Sequence, residues 1–132
     1  MSAVLDPHTV LWYLEHSGEL STTARTTIEN SLRGAADVYV SAISVIETIY
    51  LVERQRLPST ALQRLRQALL DPNVGLSIVP VDASVAAALE NIPRSLVPDM
   101  PDRIIAATAL HLGLPLITRD RRLQAAGIPT IW

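Results

Sequence analysis

Cysteine is absent from the chain, which rules out disulfides and thiolate metal sites and fits a reducing cytoplasm. Lysine is absent too, since all eleven basic residues are arginine. P-loop phosphate binding and Schiff-base catalysis need an ammonium group, so both fall away. No apolar run approaches the roughly 18–20 residues of a membrane span, so no membrane association is expected. No basic stretch leads into a long apolar segment, so nothing reads as a signal peptide. Repeats, low-complexity tracts and linkers are also missing, and 132 residues suit one domain over 1–132. The formal charge of −2 excludes a globally basic nucleic-acid binder. A polyanion could approach only through a local patch or a bridging metal.

What is present is an alternation of short β-branched runs with longer amphipathic ones. Strands are expected at Ala3-Val4-Leu5, Val38-Tyr39-Val40, Ser77-Ile78-Val79, Leu116-Ile117 and Thr130-Ile131. Helices are expected from Pro7 to about His16 (broken by Gly18), Ser21 to Arg33, Ser44 to about Arg56, and Pro58 to about Asp71. Three more follow over Asp82 to Asn91, Pro101 to Leu112, and Arg121 to Ala126. This spacing implies right-handed crossovers, hence an α/β fold: a three-layer α/β/α sandwich with a central parallel sheet.

Sites in such sheets lie beyond the carboxyl ends of the strands. Four acids fall there: Asp6 after the first strand, Glu47 in the helix after the second, Asp102 opening the helix at Pro101, and Asp120 after Leu116-Ile117-Thr118. Each has a local explanation. Ser44-x-x-Glu47 matches a capping box, and Asp6-Pro7 suits a cap followed by proline. Asp99 caps the helix in which Pro101 and Asp102 occupy the first turn, and Asp120 can cap the short helix after it. Together they form a converging set of carboxylates that repel until a proton or cation relieves them. Oxygen ligands on a rigid scaffold suit Mg²⁺, with Mn²⁺ as a substitute, and such a site supports phosphodiester cleavage.

The blocks "VLDPHTVLWYL" (4–14), "VSAISVIETIYLVERQRL" (40–57), "DMPDRIIAATALHLGLPLITRD" (99–120) and "GIPTIW" resemble, in this order, the PIN-domain nucleases. The likeness is closest to VapC-type toxins of toxin–antitoxin pairs. It implies that Asp6, Glu47, Asp102 and Asp120 hold the metal and carry catalysis on single-stranded RNA. It also implies an antitoxin partner, laid across the first helices, and a homodimer. Asp99 is expected to support the ligands, and Thr118 to orient Asp120 or a water through its hydroxyl. Pro7 departs from the family, which places threonine or serine there, and removes a hydroxyl and an N–H beside the first acid. The fixed φ still suits the turn. The proline of Asp99-Met100-Pro101-Asp102 sits one position later than the commoner form.

Of the remaining residues, Ser44 and His8 are expected to support the ligands, His8 alternatively touching a substrate phosphate. Arg54, Arg56, Arg64 and Arg66 lie along two helices, and Arg119, Arg121 and Arg122 flank Asp120; these are candidates for RNA phosphate contact. Arg103 is either such a contact or an ion-pair partner of Asp102. Leu11, Trp12, Tyr13 and Leu14 exceed what one core-facing stripe requires, so part of them is expected to form a partner surface. A competing reading keeps the same fold as an RNA- or protein-binding module without turnover. A phosphatase or phospho-acceptor reading of Asp6 is disfavoured by the missing lysine and by the lack of a second aspartate two residues on.

Overall fold

A computed structural model describes all residues, 1–132. Five parallel strands form one sheet: β1 (Ala3–Leu5), β2 (Val38–Ser41), β3 (Leu76–Val79), β4 (Leu116–Ile117) and β5 (Thr130–Ile131), in the order β3-β2-β1-β4-β5. Seven helices join them: α1 (Pro7–Leu14), α2 (Thr22–Arg33), α3 (Ala42–Glu53), α4 (Ser59–Leu70), α5 (Ala83–Leu89), α6 (Met100–Leu112) and α7 (Arg121–Gln124). The expected α/β sandwich with a parallel sheet is observed.

The pleat divides the core in two. Ala3 and Leu5 of β1, Val38 and Val40 of β2 and Ile117 of β4 face one side, where Val10, Ala24, Ile28, Ala61 and Leu65 cover them. Val4 and Leu116 face the other, against Val85, Ile105, Ala106 and Leu123. β1 and β4 are apolar throughout because both of their faces are buried. Each fully buried large aliphatic side chain contributes about 1.5–3 kcal/mol.

Register sets the site. Leu5 pairs with both Val40 and Ile117, so β1 and β4 end flush while β2 runs one residue further, to Ser41. Asp6 and Thr118 are therefore the next residues on adjacent strands. They emerge where the sheet order reverses, between β1, whose chain moves on to β2, and β4 on its other side. That is the switch point at which open α/β sheets place their ligands.

Several helix ends differ from the sequence expectation. α1 stops at Leu14, and the chain leaves the helix through His16, at a positive φ of 54°, before it reaches Gly18. α7 ends at Gln124, short of Ala126. α3 starts at Ala42, capped by Ser41, whose Oγ accepts the Ile43 N–H (3.3 Å). The Ser44–Glu47 capping box is thus overturned. Ser44 lies inside the first turn and Glu47 in the second, because β2 runs on to Ser41 and the helix begins at once. Gly113, by contrast, closes α6 in the left-handed region (φ 66°), as glycine does at helix ends.

Candidate metal centre at the switch point

Asp6 is 6% exposed, and each of its carboxylate oxygens accepts one hydrogen bond. Its Oδ1 accepts the Thr9 N–H (2.9 Å) as the cap of α1, and its Oδ2 accepts the Thr118 hydroxyl. Pro7 occupies the first helical position, where the N–H has no intrahelical partner, so the turn keeps its geometry. Thr118 Oγ1 also accepts the Asp120 N–H (3.0 Å), joining the two acids through one side chain. Asp120 in turn accepts the Arg122 N–H (2.8 Å) and the Leu123 N–H (3.4 Å) as the cap of α7.

Two residues not anticipated from sequence brace this assembly. Thr9 is fully buried and donates its hydroxyl to the Ile117 carbonyl (3.0 Å). Gln124 donates through Nε2 to the Thr118 carbonyl (3.1 Å). A polar residue in the apolar run of α1 was a signal for Thr9; nothing in the sequence marked Gln124.

The other acids come from helices. Asp99 caps α6 by accepting the Asp102 N–H (3.2 Å), with Pro101 at the second helical position, where a missing N–H costs nothing. Asp102 thus projects from the first turn of a helix whose N-terminus meets the carboxyl edge of the sheet. Glu47 projects from α3, one turn before Leu51. Its Oε1 is buried and has no hydrogen-bond partner.

Asp6, Glu47, Asp99, Asp102 and Asp120 all line one cavity of about 380 Å³, with Pro7, His8, Trp12, Leu51 and Arg119. Burial, followed by the charges of Asp102, Asp99 and Asp6, pushes the Glu47 carboxyl up to about 7. Burial, followed by Asp99, Asp120 and Asp6, pushes Asp102 up to about 7 as well. Desolvated carboxylates that share a cavity resist ionising together. The orphaned Glu47 oxygen and the all-oxygen donor set fit a hard divalent cation. The acids ring the cavity without closing on one point, for no three of them are already set for coordination.

The remaining candidates divide. His8 lines the cavity, its ring 5.4 Å from that of Trp12. Ser44 is buried with an unpartnered Oγ and does not line the cavity. Arg103 is corrected: its Nε donates to the Ile92 carbonyl (2.8 Å) and its Nη2 to the Leu89 carbonyl (3.1 Å). It fastens α6 to the end of α5, with neither a free guanidinium for RNA nor an ion pair to Asp102. Arg54, Arg56, Arg121 and Arg122 are exposed but outside the cavity lining, and only Arg119 reaches it. The apolar run of α1 is partly core, as expected, and Trp12, Tyr13 and Leu14 keep part of their surface exposed. Leu11 is buried, and Trp12, Tyr13 and Leu14 pack against the first core. The exposed apolar side chains near the cavity are Ile46, Tyr50 and Met100, on α3 and α6.

The PIN-domain family profile matches residues 3–129. Ribonuclease VapC22 of Mycobacterium tuberculosis (strain ATCC 25618 / H37Rv) is 35% identical over 136 aligned residues, covering 99% of this chain and 98% of that protein. The crystal structure of VapBC2 from Rickettsia felis, bound to a promoter DNA fragment, superposes with a TM-score of 0.73. That match has 15% identity and covers 98% of this chain and 97% of the other. FitAcB from Neisseria gonorrhoeae superposes with a TM-score of 0.65 at 27% identity, covering 97% of this chain and 95% of the other. A family profile spanning nearly all of the chain, a full-length relative and a shared parallel-sheet architecture agree, and the chain belongs to the PIN-domain family, among its VapC-like members.

Proposed function

We propose that the protein is a divalent-metal-dependent endoribonuclease, acting as the toxin of a type II toxin–antitoxin pair in the cytoplasm. One observation carries the reading: five carboxylates line a single switch-point cavity, and a buried oxygen of one of them has no partner. Asp6, Glu47, Asp102 and Asp120 are the proposed ligands of Mg²⁺, with Mn²⁺ as substitute. When bound, such a cation supplies an acidified water and offsets the charge that builds on the phosphodiester.

The chain's own residues do the positioning. Thr118 and the Thr9 N–H hold Asp6 in one orientation, and Thr118 ties Asp120 to it. Asp99 anchors the turn from which Asp102 projects. Glu47 closes the cavity from α3 and presents the oxygen that nothing in the protein satisfies. Asp102 and Glu47, near neutrality without a cation, hold protons that metal binding must displace.

Structural relatives solved as toxin–antitoxin complexes support an antitoxin partner for this chain as well. We place a homodimer contact on the exposed face formed by Ile46, Tyr50 and Met100. The decisive experiment is an RNA cleavage assay with Mg²⁺ or Mn²⁺, with and without chelator, on wild type, Asp6→Asn and Asp102→Asn. Cleavage should stop with chelator and fall by about 100-fold or more in each variant. Full cleavage retained by both variants sinks the reading.

A further inference from the structure

Five carboxylates line the cavity, yet a single guanidinium does, that of Arg119. No lysine exists to assist it, and Arg103 is spent on backbone carbonyls. Arg119 is not turned toward the acids. Its guanidinium carbon lies 4.4 Å from the centroid of the Trp12 ring, and Nη1 pairs with Glu19 Oε2 at 2.7 Å. Trp12 is braced by neighbouring rings, with His8 at 5.4 Å and Trp132 at 6.0 Å. The indole thus stands on the α1 side of the cavity between two other rings, and the guanidinium sits over its face.

We propose that Arg119 is the substrate-positioning cation of this site, taking an RNA backbone phosphate beside the scissile one, and that Glu19 occupies it until the phosphate arrives. This inference rests on the endoribonuclease reading, because it names where that reaction's substrate is held.

Three physical points carry it. First, RNA entering a cavity lined by five acids needs a cation at its rim, and Arg119 is the one arginine that lines it. Second, the contact with the Trp12 face holds the guanidinium at the cavity while only its Nη1 is taken, by Glu19. Its other N–H groups remain for phosphate, which arginine can bind through two N–H groups at once. Third, the Glu19 pair is weak enough to exchange. The side chains of Arg119 and Glu19 are 52% and 60% exposed, and such ion pairs contribute little against solvent. A phosphate presents two oxygens to these N–H groups, so it can replace the carboxylate while the arginine stays over the indole. Arg119 acts by positioning and does not touch the reacting atoms.

The test measures binding of a fluorescein-labelled single-stranded oligoribonucleotide by anisotropy across a salt series. It is run in EDTA and again in Ca²⁺, and cleavage in Mg²⁺ is followed separately. Both residues are exposed, and circular dichroism checks that each variant folds. Arg119→Ala should weaken binding about fivefold or more and lower the salt slope by about 0.7, the loss of one single-strand phosphate contact. Glu19→Gln should tighten binding about threefold, as expected when a weak competing ion pair is removed. The double variant should bind like Arg119→Ala, because Glu19 acts only through Arg119.

Wild-type affinity and slope in Arg119→Ala overturn the inference, as does a Glu19→Gln gain that persists without Arg119. A wild type that holds no oligonucleotide in either buffer also overturns it. The two readings separate cleanly. Cleavage with an unchanged Arg119→Ala slope removes this inference alone. Binding that follows Arg119 and Glu19, without any cleavage, removes the nuclease reading and keeps the phosphate site.

Discussion

Glu47 is a half-buried carboxyl with an orphaned oxygen, and its environment disfavours ionisation. Both it and Asp102 have folded pKa values of about 7, against ordinary values of 4.5 and 3.8. Between those limits the native state binds more protons than the unfolded chain, so metal-free stability falls as pH rises from about 4 to 7. Above 7 the penalty is complete. Because both groups are partly solvated, the pair should cost on the order of 1–2 kcal/mol after discounting for solvent screening. Thermal melts in EDTA should therefore show a lower Tm at pH 8 than at pH 5. Mg²⁺ should raise Tm more at pH 8, since its ligands must be deprotonated. Glu47→Gln should flatten this pH dependence, leave the fold intact and abolish cleavage. A melting profile in that variant that still falls as steeply with pH would place the proton elsewhere.

Helix beginnings carry most of the site. α1, α6 and α7 are each capped by an aspartate of the cavity, so one carboxylate both starts a helix and faces the site. α3 is different, because its cap, Ser41, is separate from its acid, Glu47. Ser41→Ala should cost about 1 kcal/mol by denaturant titration, as the loss of a serine cap typically does. Ser44→Ala should be neutral or slightly stabilising, because it deletes a buried hydroxyl without a partner. The reverse order would restore the capping box. Arg103 belongs to the same scale, since it ties the N-terminal part of α6 to the end of α5 through two carbonyls. Arg103→Ala should lower stability by about 2–3 kcal/mol, the range for hydrogen bonds to a charged group. It should leave the salt dependence of RNA binding unchanged; a slope reduced by one contact would return Arg103 to the substrate path.

At the scale of the whole molecule, the two cores hold the sheet between them, and the ends of β1 and β4 bring Asp6 and Asp120 beside the acids of α3 and α6. Beside the acid cavity runs a second one of about 350 Å³ that shares Glu47, Leu51 and Asp99 with it. Ile46, Tyr50, Met100 and Pro101 form its apolar side. Tyr50 is 55% exposed and Met100 64%, which makes this face the least covered apolar surface near the site. If the protein pairs there, Tyr50→Glu should shift it to monomer in sedimentation equilibrium while its melting temperature changes little. A dimer of unchanged affinity would move the contact to another face.

Much of this was legible along the chain. Strand and helix alternation followed from period and length, and Asp6, Asp99, Asp102 and Asp120 could be placed because each sits at a strand end or helix start, where local chemistry is specific. What the sequence by itself determined was therefore the layer order and the carboxyl-edge location of the acids. Partnering was decided only by the tertiary structure. Arg103 looks from sequence like any exposed arginine beside an acid, and only the approach of α5 supplies the carbonyls that consume it. Ser44 looked like a cap until β2 ran on to Ser41. Nothing local to Trp12 announces that Arg119, more than a hundred residues away, sits over its ring. Local spacing encodes caps and periods, whereas contacts between distant segments depend on sheet order and register. Those decide which side chains are spent inside the protein and which remain for a substrate.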